Sequence, residues 1–137
     1  MSRVSRSLLA LESFTSRKAQ DFIERSRGAG IELLVTCTYR DDSEQAALYA
    51  QGRTVPGRIV TNARPGQSLH NLMHAGMPAS RALDVVPMVG GKPVWRTKGA
   101  DLALWMRVGE IGESCGLEWA GRWRGALREF PHFQFKG

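Results

Sequence analysis

The sequence predicts an α+β fold in which a small antiparallel sheet is flanked by helices, on three observations. Helical periodicity is confined to three stretches, near 7–27, 42–51 and 100–115. Short runs rich in β-branched and aromatic residues stand at 31–38 and 82–86, with briefer pieces at 92–95, 117–119 and 132–135. The resulting order, α-β-α-loop-β-β-α-β-β, places the strands late and does not alternate strand with helix. That order favours an antiparallel sheet over a doubly wound parallel one.

Each element has its own justification. Leu8, Leu11, Phe14, Phe22 and Ile23 recur among charged residues, as on an amphipathic helix ended by Gly28 and Gly30. I-E-L-L-V-T-C-T at 31–38 reads as a buried strand. Asp42 reads as an N-cap with Gln45 three residues on, and the helix that follows stops at Gly52. Residues 52–67 lack a helical period and read as a long loop, with a short strand at Arg58–Thr61. A-L-D-V-V at 82–86 is a strand, Gly90-Gly91 a hairpin turn, and Lys92–Trp95 the returning strand. Leu102, Trp105, Met106, Val108 and Ile111 mark a helix closed by Gly116, with Gly109 and Gly112 as points of weakness inside it.

The 137 residues suit a single domain, 1–137, large enough to bury a core without staples. With 42% apolar and 23% charged residues the chain reads as globular, and its net charge of +6 suits an anionic partner. Cys37 and Cys115 lie far apart and outside any C-x-x-C spacing, so they read as reduced, mostly buried thiols. The N-terminal stretch lacks the apolar region and cleavage site of a signal peptide. No stretch approaches the roughly 18 apolar residues of a membrane span. These features predict synthesis in the cytoplasm and no stable membrane insertion.

Three places could carry chemistry. His70 lies in a polar, turn-rich setting, and His74 follows four residues later. The zinc-protease version of that pair has Glu after the first His, where Asn71 stands instead. Asp84 is embedded among Ala, Leu and Val, which is costly unless it is paired, with Arg81 or Arg40, or bound to a cation. In E-F-P-H-F-Q-F, 129–135, Pro131 favours extended backbone, and a three-residue repeat turns Glu129 and His132 to one side. Gln134 then shares the face of His132, while Phe133 and Phe135 enter the core. An imidazole that binds an ion beside a carboxylate that takes a proton from water suits metal-assisted hydrolysis.

S-L-H-N followed by A-L-D-V-V resembles the S-x-H-x-x-G-x-A-x-D signature of the LAS zinc peptidases, named for lysostaphin, D-Ala-D-Ala metallopeptidases and hedgehog. E-F-P-H-F-Q is similar to their (D/E)-x-x-H closing motif. The segment T-C-T-Y-R-D-D-S-E-Q-A-A-L-Y-A-Q-G-R, 36–53, resembles the D-Ala-D-Ala carboxypeptidase and phage L-alanyl-D-glutamate endolysin branch. The resemblance implies a hedgehog/D-Ala-D-Ala peptidase-like sheet carrying a zinc site. It implies that His70, Asp84 and His132 bind Zn2+ and that Glu129 is the catalytic base. Arg40 would polarise or anchor the substrate, and Ser68 would hydrogen-bond it.

One departure stands out. Thirteen residues separate His70 from Asp84, against six in the signature, and Ser80 replaces the usual glycine. The added length in the 71–81 segment brings in His74 as a rival ligand; the match around His70 favours His70.

The implied function is peptidoglycan cleavage by a monomeric phage or prophage endolysin, released through a holin and lacking a separate wall-binding domain. The implied bond is L-Ala-D-Glu, with D-Ala-D-Ala carboxypeptidase as the near alternative. A non-catalytic zinc-containing wall-binding module is a further alternative, against which Glu129 argues. A nuclease is disfavoured because the arginines are spread along the chain, so no nucleic-acid partner is expected.

Overall fold

A computed structural model describes residues 3–137. Helix α1 is Ser13–Gly28, capped by the Glu12 carboxylate, which accepts from the backbone N–H of Phe14 and Thr15. Residues Leu8–Ala10 form a separate 3-10 turn, so the predicted helix starts later than expected. Strand β1, Glu32–Cys37, follows, and then α2, Asp42–Ala50. Its cap is Asp41 rather than Asp42, with Asp41 Oδ1 accepting from Glu44 N at 2.8 Å. Gln45 is therefore released from capping and lies fully buried.

No strand forms at Arg58–Thr61. The 71–81 segment instead carries the hairpin β2, Met73–His74, and β3, Met77–Pro78. Its turn places both Ala75 and Gly76 at positive φ, the backbone of a tight hairpin. Strand β4, Ala82–Val89, runs three residues beyond its predicted end and pairs with β5, Lys92–Pro93. Helix α3, Ala100–Ser114, is unbroken. Strands β6, Glu118–Trp119, and β7, His132–Gln134, close the sheet in the order β1-β4-β7-β6, every pair antiparallel.

Strand alternation divides the sheet by chemistry. Leu83, Val85 and Phe133 face the core with Phe22 from α1, Val108 from α3, and Trp119. Burying each such side chain stabilises the fold by roughly 1.5–3 kcal/mol. The opposite face presents Asp84 and His132, which pair directly across β4 and β7, while Cys37 of β1 pairs with Asp84 from the other side. Gly109 and Gly112 keep α3 close to this core: a Cβ at Gly109 would overlap the Trp119 indole, and one at Gly112 the Phe133 ring. Among the described residues, no helix is long and apolar enough to cross a membrane.

Candidate active site

The sheet register brings Asp84 and His132 together, and a 3-10 turn delivers His70. That turn, Leu69–Asn71, is capped by Ser68, whose Oγ accepts from His70 N at 3.1 Å. It is tied to the end of β1 by Arg40 N donating to His70 O at 2.9 Å and Asn71 Nδ2 donating to Arg40 O at 2.8 Å. Three atoms then meet. His70 Nε2 lies 3.3 Å from Asp84 Oδ1, His132 Nδ1 lies 3.2 Å from the same oxygen, and the two nitrogens are 3.3 Å apart.

The protons on those rings are fixed by partners on their far sides. His70 Nδ1 faces the Thr38 carbonyl at 2.9 Å, and a carbonyl can only accept. The hydrogen of neutral His70 is thus on Nδ1 and its lone pair on Nε2. His132 Nε2 faces Gln134 Oε1 at 2.8 Å, which leaves the lone pair on Nδ1. Two lone pairs and a carboxylate oxygen then converge with no hydrogen between them, an arrangement that calls for a cation. Tetrahedral ligands at about 2.0–2.1 Å from an ion stand about 3.3–3.4 Å apart, so the spacing also fits zinc. A proton can take the cation's place: burial opposes charge on His70, but the facing Asp84 pushes its pKa up to about 10. Burial likewise opposes charge on Asp84, yet the two imidazoles hold its pKa well below the usual carboxylate range.

Glu129 reaches this centre, with Oε2 3.8 Å from His132 Nδ1. Burial raises its pKa and Asp84 adds to the rise, against the pull of His132, His70 and Arg40. Arg40 stands on another side, with Nη2 3.7 Å from Asp84 Oδ2. Its Nη1 donates to Gln45 Oε1 at 3.0 Å, and Gln45 Nε2 donates to the Ala63 carbonyl at 2.8 Å, linking the guanidinium to the long loop. His70, Asp84, His132, Glu129, Arg40 and Ser68 line one open cleft of about 1030 Å³, whose walls also include loop residues 60–63 and Trp95, Trp123 and Phe130. Gln45 is buried behind Arg40. His74 is exposed on the hairpin and does not line that cleft.

Four neighbours are given no role in the site by the sequence: Cys37, Gln45, Glu118 and Trp123. Cys37, His70 and Asp84 make an alternative trio with ligand atoms within 4.8 Å. The sulfur, however, lies 3.7 Å from His70 Nδ1, the nitrogen already engaged by Thr38. Cys37 therefore flanks the imidazole behind its free nitrogen. Both cysteines are buried and unpaired, as expected.

A family model described as D-alanyl-D-alanine carboxypeptidase, of the M15 peptidases, matches residues 61–135, over half of the chain. The chain belongs to this peptidase family. The matched region holds His70, Asp84, Glu129 and His132, and the motif resemblance to LAS-type peptidases is borne out. Over 109 residues the chain is 35% identical to the peptidoglycan L-alanyl-D-glutamate endopeptidase CwlK of Bacillus subtilis (strain 168), covering 77% of this chain. It spans 61% of that relative's length. The crystal structure of Serratia marcescens L-Ala D-Glu endopeptidase ChiX shares the fold, with a TM-score of 0.65 and 22% identity over 96% of this chain and 87% of that one. The α+β expectation, a small antiparallel sheet flanked by helices, holds.

Proposed function

We propose that this M15 peptidase is a zinc-dependent peptidoglycan hydrolase cleaving the L-Ala-D-Glu bond of stem peptides. The observation that carries the reading is the convergence of His70 Nε2, Asp84 Oδ1 and His132 Nδ1 within 3.3 Å, with Glu129 and Arg40 on separate sides. The choice of bond rests on the L-Ala-D-Glu endopeptidase activities for which CwlK and ChiX are named.

His70, Asp84 and His132 would hold Zn2+, which when bound supplies a Lewis acid that polarises a carbonyl and acidifies water. Glu129 takes a proton from the attacking water at a carboxylate oxygen. The water oxygen adds to the scissile carbonyl carbon, and the Arg40 guanidinium, anchored by Gln45, donates to the substrate oxygen that gains charge. Glu129 then returns the proton to the amide nitrogen as the C–N bond breaks, and the remaining hydroxyl proton passes to the freed amine, leaving a carboxylate and an ammonium group. Ser68, whose oxygen caps the His70 turn, keeps its own hydrogen available for substrate.

The description of the family model favours a second reading, D-Ala-D-Ala carboxypeptidase action at the same centre. Mass spectrometry of muropeptides released from purified sacculi decides between them. New N-terminal D-Glu supports the endopeptidase, free D-Ala the carboxypeptidase. No product overturns both, and equal clearing by Glu129→Ala removes Glu129 as the base. A role as a phage or prophage lysis enzyme released through a holin rests on the resemblance of the 36–53 motif. Lysis of cells expressing the chain only after membrane permeabilisation is the outcome it requires.

A further inference from the structure

Behind His132 a chain of side chains leads away from the centre of the cleft. His132 Nε2 donates to Gln134 Oε1 at 2.8 Å, and Gln134 Nε2 donates to Glu118 Oε1 at 2.9 Å. His132 and Gln134 are buried, and the pairing of β6 with β7 sets Glu118 opposite Gln134. The other Glu118 oxygen accepts from Trp123 Nε1 at 3.1 Å, and the Trp123 ring lies 5.6 Å from that of His132. Glu118 thus holds two groups that each touch one imidazole.

The direction of this relay is dictated from its outer end. An ionised carboxylate only accepts hydrogen bonds, so Gln134 must turn its NH2 toward Glu118 and its oxygen toward His132. That oxygen also only accepts, which keeps the ring hydrogen on Nε2 and the lone pair on Nδ1. With a neutral amide at 118, Gln134 is free to turn over and donate to Nε2. The ring hydrogen would then move to Nδ1, the atom that faces His70 and Asp84.

We propose that Glu118 and Gln134 are positioning residues that select the Nδ1-ligating tautomer of His132, so that Glu118 sets zinc affinity without touching the ion. This deepens the zinc reading above and rests on it. The full chain is stripped of metal, and Zn2+ is titrated against a chromophoric chelator. The His132 ring N–H is followed by 15N NMR in the loaded protein, and circular dichroism of each metal-free variant checks folding. Glu118→Gln and Gln134→Leu are each expected to weaken zinc binding about 10- to 100-fold. Both should also speed solvent exchange of the ring N–H or abolish its resonance.

The combined exchange Glu118→Gln with Gln134→Glu keeps the donor order, because the ring N–H and the amide at 118 both donate to a carboxylate at 134. It should restore affinity and the protected ring N–H, a rescue that loss of packing alone does not produce. Single variants that bind zinc like the unaltered protein overturn the relay, as does a combined variant no tighter than the weaker single one. Failure of the unaltered protein to bind zinc would instead sink the metal reading, and the relay with it.

Discussion

Glu129 is held in its basic role by competing neighbours. Burial and Asp84 raise its pKa from 4.5, while His132, His70 and Arg40 oppose the rise. A base with a raised pKa is lost to protonation sooner as pH falls. In the metal-free chain Glu129 is therefore expected to titrate above its ordinary value, as 13C NMR of its carboxyl carbon would show. Glu129→Gln should lower kcat by about 10²- to 10⁴-fold, while zinc affinity stays near that of the unaltered chain because Glu129 is not one of the three converging ligands. Full activity in the variant contradicts this assignment. Glu129 and His132 were legible in sequence because proline between them restricts the backbone. Gln134 was legible only as a residue sharing the His132 face; its link to Glu118 depends on a cross-strand pairing that no local spacing reveals.

Among the elements, α3 shows how a pattern can mislead. Glycine inside a helix is destabilising by about 1 kcal/mol relative to alanine, so Gly109 and Gly112 read as points of weakness. In the fold they are sites of close approach to Trp119 and Phe133. Gly109→Ala should lower stability despite its gain in helix propensity, because overpacking costs about 1–3 kcal/mol. Gly28→Ala, where a Cβ meets nothing within 4 Å, is the matched control and should be neutral or stabilising. Urea denaturation midpoints measure both, and a stabilised Gly109→Ala would show that the indole moves aside readily.

The β2-β3 hairpin is a second such element. It was hidden because its strands are two residues each and its turn uses Ala75 where glycine or asparagine is usual. Ala79 N donates to Leu72 O at 2.9 Å at the hairpin's base, closing the main chain before the exposed tip. Replacing Met73–Pro78 with a two-residue Asn-Gly turn should therefore leave zinc stoichiometry intact. Loss of zinc in that variant would mean that the hairpin holds the His70 turn in place.

For the whole molecule, the converging ligands couple metal, proton and stability. Without metal, Asp84 and His70 form an ion pair, with Asp84 held below its unfolded value of 3.8 and His70 raised from 6.5 to about 10. A lowered carboxylate pKa stabilises the fold above the unfolded value, and that stability is lost as pH falls through the folded one. A raised imidazole pKa contributes fully below 6.5 and is lost as pH climbs to about 10. Between those limits the metal-free fold holds one proton that the unfolded chain has released, a slope of at most about 1.4 kcal/mol per pH unit. Zinc needs the His70 lone pair and so must displace that proton. Thermal unfolding of metal-free protein should accordingly fall in midpoint from pH 6.5 to 9, while the zinc-loaded protein changes less over the same interval. Zinc binding at pH 7 should release close to one proton, read from the buffer dependence of the calorimetric enthalpy. A metal-free midpoint that is flat across this range, together with no proton release, would mean that His70 is already neutral and that the ligands meet without a proton between them.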